Sequence, residues 1–362
     1  MINSVYIHIP FCASICSYCD FSKFFYNKKW VNDYLTELER EIKSRYKNDV
    51  INTIYIGGGT PSSLILDELS KLFEIISVFK LSNNVEFTFE CNIENITKEK
   101  LELLIKNGVN RLSIGVQTFN EKYLKYLNRH HTKDEVISKI NMAKSLGFNN
   151  INIDLIYAIP GETKEELLTD LDSFLSLNIE HISTYSLIIE PNTKLYIDKA
   201  NNIDEDLDYE MYELICNKLK LSGYNHYEIS NFSKSGYQSK HNLTYWNNLE
   251  YYGFGIGASG YVHGNRYDNT RSFNNYIKGK YTIETHTLSK KEKIENEFIL
   301  GFRKVSGINK KDFKSKYNID LKSMDIVLKL LNEKKLLEDS ENIFINPEYI
   351  YVSNEILLNF ID

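Results

Sequence analysis

At 362 residues with 42% hydrophobic content, the chain is long enough for one large core and a second, smaller one. Its formal charge of −6 gives no general electrostatic case for nucleic acid, and no run approaches the ~18 apolar residues of a membrane span. The start, Met1-Ile-Asn-Ser-Val-Tyr, carries no basic region, long apolar run or cleavage site, so a cytoplasmic, reducing compartment is expected.

A first strand is expected over residues 5–9. It runs at once into Cys12-Ala-Ser-Ile-Cys16-Ser-Tyr-Cys19, which holds three of the five cysteines in eight residues; Cys91 and Cys216 are isolated. Thiols this close, without partners elsewhere, point to metal or cluster ligation rather than a disulfide framework. Three thiolates leave one position open. In a [4Fe–4S] cluster the open iron can bind a small molecule, whereas four thiolates close the cluster for electron transfer. On spacing alone, a zinc site lacking its fourth ligand and three unrelated buried thiols stay open as alternatives.

Five more strands are expected over 53–56, 85–89, 111–116, 150–155 and 181–187. Between them, spacings such as Leu35, Leu38, Ile42 and Leu69, Leu72, Phe73, Ile76 have the helical period. Thr132 with Glu135 and Thr163 with Glu166 read as capping boxes, and Gly108 and Gly147 sit where helices should end. Six βα units give an α/β fold with a parallel sheet, a partial (β/α)6 barrel with one open side. Its chemistry should lie at the carboxyl ends of the strands. Cys12, the run Gly57-Gly58-Gly59-Thr60-Pro61, Glu90 and Gln117 each fall at or just past such an end, and Asp154 lies near one.

Past residue 200 the alternation fails. One helix is expected over 204–222, then an aromatic, glycine-rich connector that contains His241-Asn242-Leu-Thr-Tyr245-Trp246 and Tyr251-Tyr-Gly-Phe-Gly-Ile-Gly-Ala-Ser259. Ser289 and Glu292 form a capping box for a helix to about residue 302. Shorter helices are expected over 310–316 and 322–334, and a hairpin over 336–345. The expected organisation is a partial barrel over 1–200, a connector over 201–284 and a small winged-helix-like α+β domain over 285–362. That last unit reads as a cover or docking domain, since it carries no cysteine or glycine motif.

Tyr6-Ile-His-Ile-Pro-Phe-Cys12, followed by CxxxCxxC and Asp20-Phe21, resembles the radical S-adenosylmethionine (SAM) superfamily in its coproporphyrinogen oxidase-like branch. The dehydrogenase of that branch has a further cysteine where this chain has Phe21. The relatives lacking it are HemW-type heme chaperones, which the chain resembles from end to end. The resemblance implies a [4Fe–4S] cluster on Cys12, Cys16 and Cys19 with SAM on the open iron. It puts Tyr6, Tyr18, Gly58, Gly59, Thr60, Glu90, Gln117, Arg129 and Asp154 on SAM-binding positions, with Ser186 and Ala258 near the adenine. Arg129 can pair with the methionine carboxylate, and Gly57 to Gly59 would let backbone approach the amino group.

His241, Asn242, Tyr245 and Trp246 match the HNxxYW motif associated with heme in the chaperones: an imidazole can ligate iron, and Tyr and Trp can pack on a porphyrin. His8 should support the cluster loop; the remaining histidines have no comparable context. The implied function is delivery of heme to an apo-hemoprotein such as a respiratory enzyme. The implied partners leave room for a homodimer and for peripheral membrane contact through the acceptor, with no nucleic acid. The alternative is oxidative decarboxylation of coproporphyrinogen III through a 5′-deoxyadenosyl radical. Phe21, and a first strand that begins without the dehydrogenase's N-terminal extension, set the expectation against that activity.

Overall fold

The computed structural model describes residues 2–361. Six parallel strands follow one another in chain order: β1 (Ser4–Ile9), β2 (Val50–Gly58), β3 (Lys80–Asn92), β4 (Arg111–Gln117), β5 (Ile151–Tyr157) and β6 (His181–Ser186). The third is 13 residues long, well beyond the expected 85–89. Its polar start, Lys80-Leu-Ser-Asn-Asn, has no strand pattern of its own, yet Lys80 and Leu81 pair with Val50 and Ile51 of β2. Pairing there overrides propensity.

Three further strands of this sheet come from the segment expected as a connector: β7 (Asn225–Glu228), β8 (Asn231–Ser233) and β9 (Tyr252–Phe254). β9 lies parallel on β1, with Val5 opposite Tyr252 and Ile7 opposite Phe254; β8 lies antiparallel on β6 and β7 on β8. The sheet therefore has nine strands in the order β9-β1-β2-β3-β4-β5-β6-β8-β7. Three- and four-residue strands are too short to show a period, which is why the sequence hides both edges.

Side chains alternate across this sheet. Val5, Ile7, Ile54, Ile56, Phe87, Phe89, Leu112, Ile114, Ile153 and Leu155 are buried on the outer face under helices α1 (Lys28–Arg45), α2 (Leu66–Ile76), α3 (Lys98–Lys106), α4 (Lys133–Ser145) and α5 (Lys164–Ser176). Val31, Leu35, Leu38 and Ile42 of α1 and Leu69, Leu72, Phe73 and Ile76 of α2 supply the facing layer. The helix ends follow the sequence signals. Thr132/Glu135 and Thr163/Glu166 both form capping boxes, and Gly108 and Gly147 take φ of +86° and +108° just past α3 and α4.

The inner face is polar. Across it the register aligns Tyr6, Tyr55, Thr88 and Arg111 in one row and Glu90, Ser113, Asn152 and His181 in the next. A parallel sheet covered on both sides is normally apolar throughout, so a polar inner face marks a lumen built to meet polar groups.

After α6 (Glu205–Leu221), helix α7 (Lys240–Trp246) enters that lumen, and a separate C-terminal core follows. There Phe298, Phe302, Phe313, Leu330 and Ile343 pack together from α8 (Lys290–Gly301), helices Lys310–Tyr317 and Asp325–Asn332, and the hairpin Leu336–Glu338/Asn342–Ile345. The strand Ile308–Asn309 adds a third, unexpected member to that hairpin. The unit docks on the barrel through a bridge between Lys304 and Glu228 and through Lys304 Nζ on Asn247 Oδ1 at 2.5 Å.

Candidate functional site

β1 delivers the chain to the cysteine loop. Its base is closed by a short parallel pairing of Phe11–Cys12 with Phe24–Phe25, and the Tyr26 N–H donates to the Cys12 carbonyl at 2.9 Å. The far side is pinned by Asn128, whose side-chain amide donates to the Ile15 carbonyl at 2.8 Å, and by Ser17 N–H on the Leu127 carbonyl at 3.1 Å. All three thiols are free of disulfides; Cys12 is buried and Cys16 and Cys19 half-buried. Thr60 Oγ1 donates to Cys12 Sγ and Arg129 Nη1 to Cys16 Sγ, both at 3.5 Å, so donors able to stabilise thiolates are in place. Among the described residues, no three His, Cys, Asp or Glu side chains gather as a single metal ion requires.

The wall opposite the loop is Gly57-Gly58-Gly59-Thr60. A Cβ on Gly57 would stand 2.7 Å from the Glu90 carboxyl, one on Gly59 3.0 Å from Cys12 Sγ, and one on Gly58 2.7 Å from the His8 ring. Gly58 also holds φ of +118°. These glycines are thus required by close packing inside the protein itself, where the sequence suggested only room for a ligand. The His8 ring is held by Tyr6 Oη at 2.9 Å and the Ser22 carbonyl at 2.8 Å, three residues past Cys19. Burial lowers its pKa to about 4, so it is neutral.

A cavity of about 320 Å³ opens between loop and sheet. The three cysteines, Tyr18, Gly58, Gly59, Thr60, Glu90, Gln117, Arg129, Asp154 and Ser186 line it. Tyr6 and Ala258 do not: Tyr6 turns to His8 and packs on Tyr55, and Ala258 is buried. Arg129 is fixed by Asn92 Oδ1 at 3.1 Å and the Gly115 carbonyl at 2.6 Å. Gln117 has φ of +71° beside a register shift against β5, a strained conformation that re-aims its side chain into the cavity. Glu90 accepts from Tyr55 Oη at 2.7 Å and from the Gly58 N–H at 2.9 Å. Enclosure, and the neighbouring Asp154, still raise its carboxyl to about 7. Burial raises Asp154 as well. Two carboxyls held reluctant to ionise, beside buried Arg129, form a site that gains by admitting a cation.

Sequence reasoning missed Tyr55, Arg111, Ser113, Asn152, Ser183 and Tyr185, which also line the cavity. The signal was present: each of these polar residues stands two or four positions from another on its strand, where a buried parallel strand should be apolar.

Helix α7 departs from expectation. His241 is buried, its Nδ1 hydrogen-bonded to Thr53 Oγ1 and its Nε2 to Tyr245 Oη, each at 2.8 Å. Its backbone N–H donates to Glu86 at 2.9 Å and its ring packs on Tyr55 at 5.2 Å between centroids. Burial, with the positive Arg111 nearby, lowers its pKa to about 3. Both ring nitrogens are engaged inside the fold, which does not fit an iron-ligating imidazole facing the open side. Of the four motif residues Asn242 alone lines the cavity. Tyr245 holds His241, and Trp246 turns outward under the Arg303 guanidinium of the C-terminal unit, 5.7 Å from its carbon.

Residues 6–174 match the Radical SAM superfamily, and residues 288–345 match the HemN C-terminal domain. Among solved structures, coproporphyrinogen III oxidase (HemN) from Escherichia coli superposes with a TM-score of 0.86 over 99% of this chain and 90% of its own, at 20% identity. The fold is that of a radical SAM protein. The heme chaperone HemW of Bacillus subtilis (strain 168) is 41% identical, with 99% of both chains covered. The heme chaperone HemW of Lactococcus lactis is 40% identical over 99% of this chain and 97% of its own. The chain belongs to the HemW family. Among the described residues no helix is long and apolar enough to cross a membrane.

Proposed function

We propose that this chain holds one [4Fe–4S] cluster on Cys12, Cys16 and Cys19, binds SAM at the open iron, and carries heme to an apo-hemoprotein such as a respiratory enzyme. The observation that carries the cofactor part is the meeting of three free thiols, the glycine wall, Glu90, Gln117, Arg129 and Asp154 around one cavity. The donor set fits the groups. Arg129 offers the SAM carboxylate a fixed guanidinium, Glu90 offers a carboxylate to the amino and sulfonium charges, and Gln117 and Asp154 can take ribose hydroxyls. When bound, the cluster and SAM supply one-electron chemistry. The chain's own part is to position SAM, hold Glu90 near neutrality and enclose the site.

The heme part rests on relatives named heme chaperones along the whole chain. A coproporphyrinogen-oxidising reading draws on the fold shared with HemN. Against it stands Phe21, an exposed phenyl ring at the cavity wall, where the resemblance gives that enzyme a cysteine. The two readings separate in one pair of assays on the anaerobically reconstituted protein. Heme titration should give saturable Soret absorbance that an apo-hemoprotein depletes, and incubation with SAM, a reductant and coproporphyrinogen III should give no protoporphyrinogen. Multiple turnovers in the second assay would overturn the carrier reading.

A further inference from the structure

Exposed apolar side chains stand on the wall of the cavity. Phe21 (63% exposed), Ile188 (63%) and Tyr185 (44%) all lie on its wall, brought there by two separate segments, the loop after Cys19 and the end of β6. Ile15 and Lys23 belong both to this wall and to an adjoining groove that holds Phe25 and Trp30, so the apolar surface continues past the mouth. Single exposed hydrophobic residues need no explanation, but several on the wall of one cavity do. The fold does not explain it: Phe21, Phe25, Tyr185 and Ile188 belong to none of the three apolar clusters. One positive charge sits in the rim. Lys23 Nζ is held by the Cys19 carbonyl at 2.5 Å and the Phe21 carbonyl at 3.3 Å.

The cavity beneath, about 320 Å³, is at the lower end of the size that takes one small ligand. SAM would fill it, and a tetrapyrrole cannot share it. We propose that a flat apolar tetrapyrrole with carboxylate edge groups, heme under the carrier reading on which this rests, seats across the rim between Phe21 and Ile188. Lys23 faces one of its carboxylates. Helix α7 is then the floor of the lumen, and the ligand seat is at the opposite end. Heme on the rim would also lie over the cavity mouth, so heme slows SAM release.

The test uses the full chain, reconstituted anaerobically with its cluster and titrated with heme. Phe21→Ser/Ile188→Ser changes two exposed side chains, and an unchanged far-ultraviolet circular dichroism spectrum and urea-unfolding midpoint report that the variant is folded. The expected result is a loss of heme affinity of roughly tenfold or more, a smaller loss in Lys23→Ala, and slower SAM release from wild type when heme is present. Heme affinity equal to wild type in the double variant overturns the rim and leaves the carrier reading standing. Wild type that takes up no heme overturns the carrier reading itself. A double variant that keeps heme but no longer transfers it assigns the rim to the acceptor protein and overturns the proposal.

Discussion

The two ends of the half-barrel hold their polar side chains in opposite states. Around α7, His241 has both ring nitrogens and its backbone N–H satisfied by Thr53, Tyr245 and Glu86. At the carboxyl ends of the strands, Glu90 and Asp154 face a cavity with their carboxyls pushed upward. A neutral ring paired on both nitrogens holds a fold together, whereas enclosed carboxyls whose charge is held back are prepared for a positively charged ligand. His241 of the motif therefore lies at the structural end, and the cavity end is marked by carboxyls that burial holds back from ionising.

The largest effect should come from the saturated end. His241→Ala leaves the Thr53 and Tyr245 hydroxyls without their buried partner and removes a packed ring, a loss of about 3 kcal/mol or more. Asn242→Ala, on the cavity wall one residue away, should stay within about 0.5 kcal/mol of wild type. Urea unfolding of the two variants measures the contrast; equal stabilities would erase it.

At the ligand end, Arg129→Ala should weaken SAM binding by about 1.5–3 kcal/mol, the range for hydrogen bonds to charged groups. Equilibrium binding to the cluster-loaded protein reads this directly.

The next effect is a pH dependence. Glu90 titrates at about 7 in the free protein, and a bound cation favours its carboxylate, so SAM binding expels a proton below that pH. SAM affinity should rise about tenfold per pH unit on approach to 7, as expected for one linked proton, and level off above it. Glu90→Gln should flatten that slope. A slope that survives the substitution would move the proton elsewhere.

The smallest effect concerns the seam between the barrel and the C-terminal unit. Arg303→Ala removes a cation–π contact with Trp246 and should cost about 0.5–1 kcal/mol, without altering SAM affinity.

Much of this was legible in the sequence. Six strands, their polar ends, the thiol loop and the capping boxes follow from period and spacing, which are local signals. His241 was not legible, because its partner Thr53 is 188 residues away and nothing in the motif reveals that its ring is enclosed. The Gly58 turn was legible as a glycine turn, but the His8 ring that forbids a side chain there comes from another strand. The strands β8 and β9 are three residues each and exist only through pairing, β8 with β6 and β7 and β9 with β1.

The most direct test of the account is the electron paramagnetic resonance spectrum of the reduced, reconstituted protein with and without SAM, beside iron and sulfide analysis of single Cys→Ala variants. Wild type and the Cys91 and Cys216 variants should each carry one [4Fe–4S] cluster whose signal SAM perturbs, while Cys12, Cys16 and Cys19 variants should lose it. A Cys16→Ala protein with full iron and sulfide, or a wild-type signal indifferent to SAM, would contradict the assignment of this cavity.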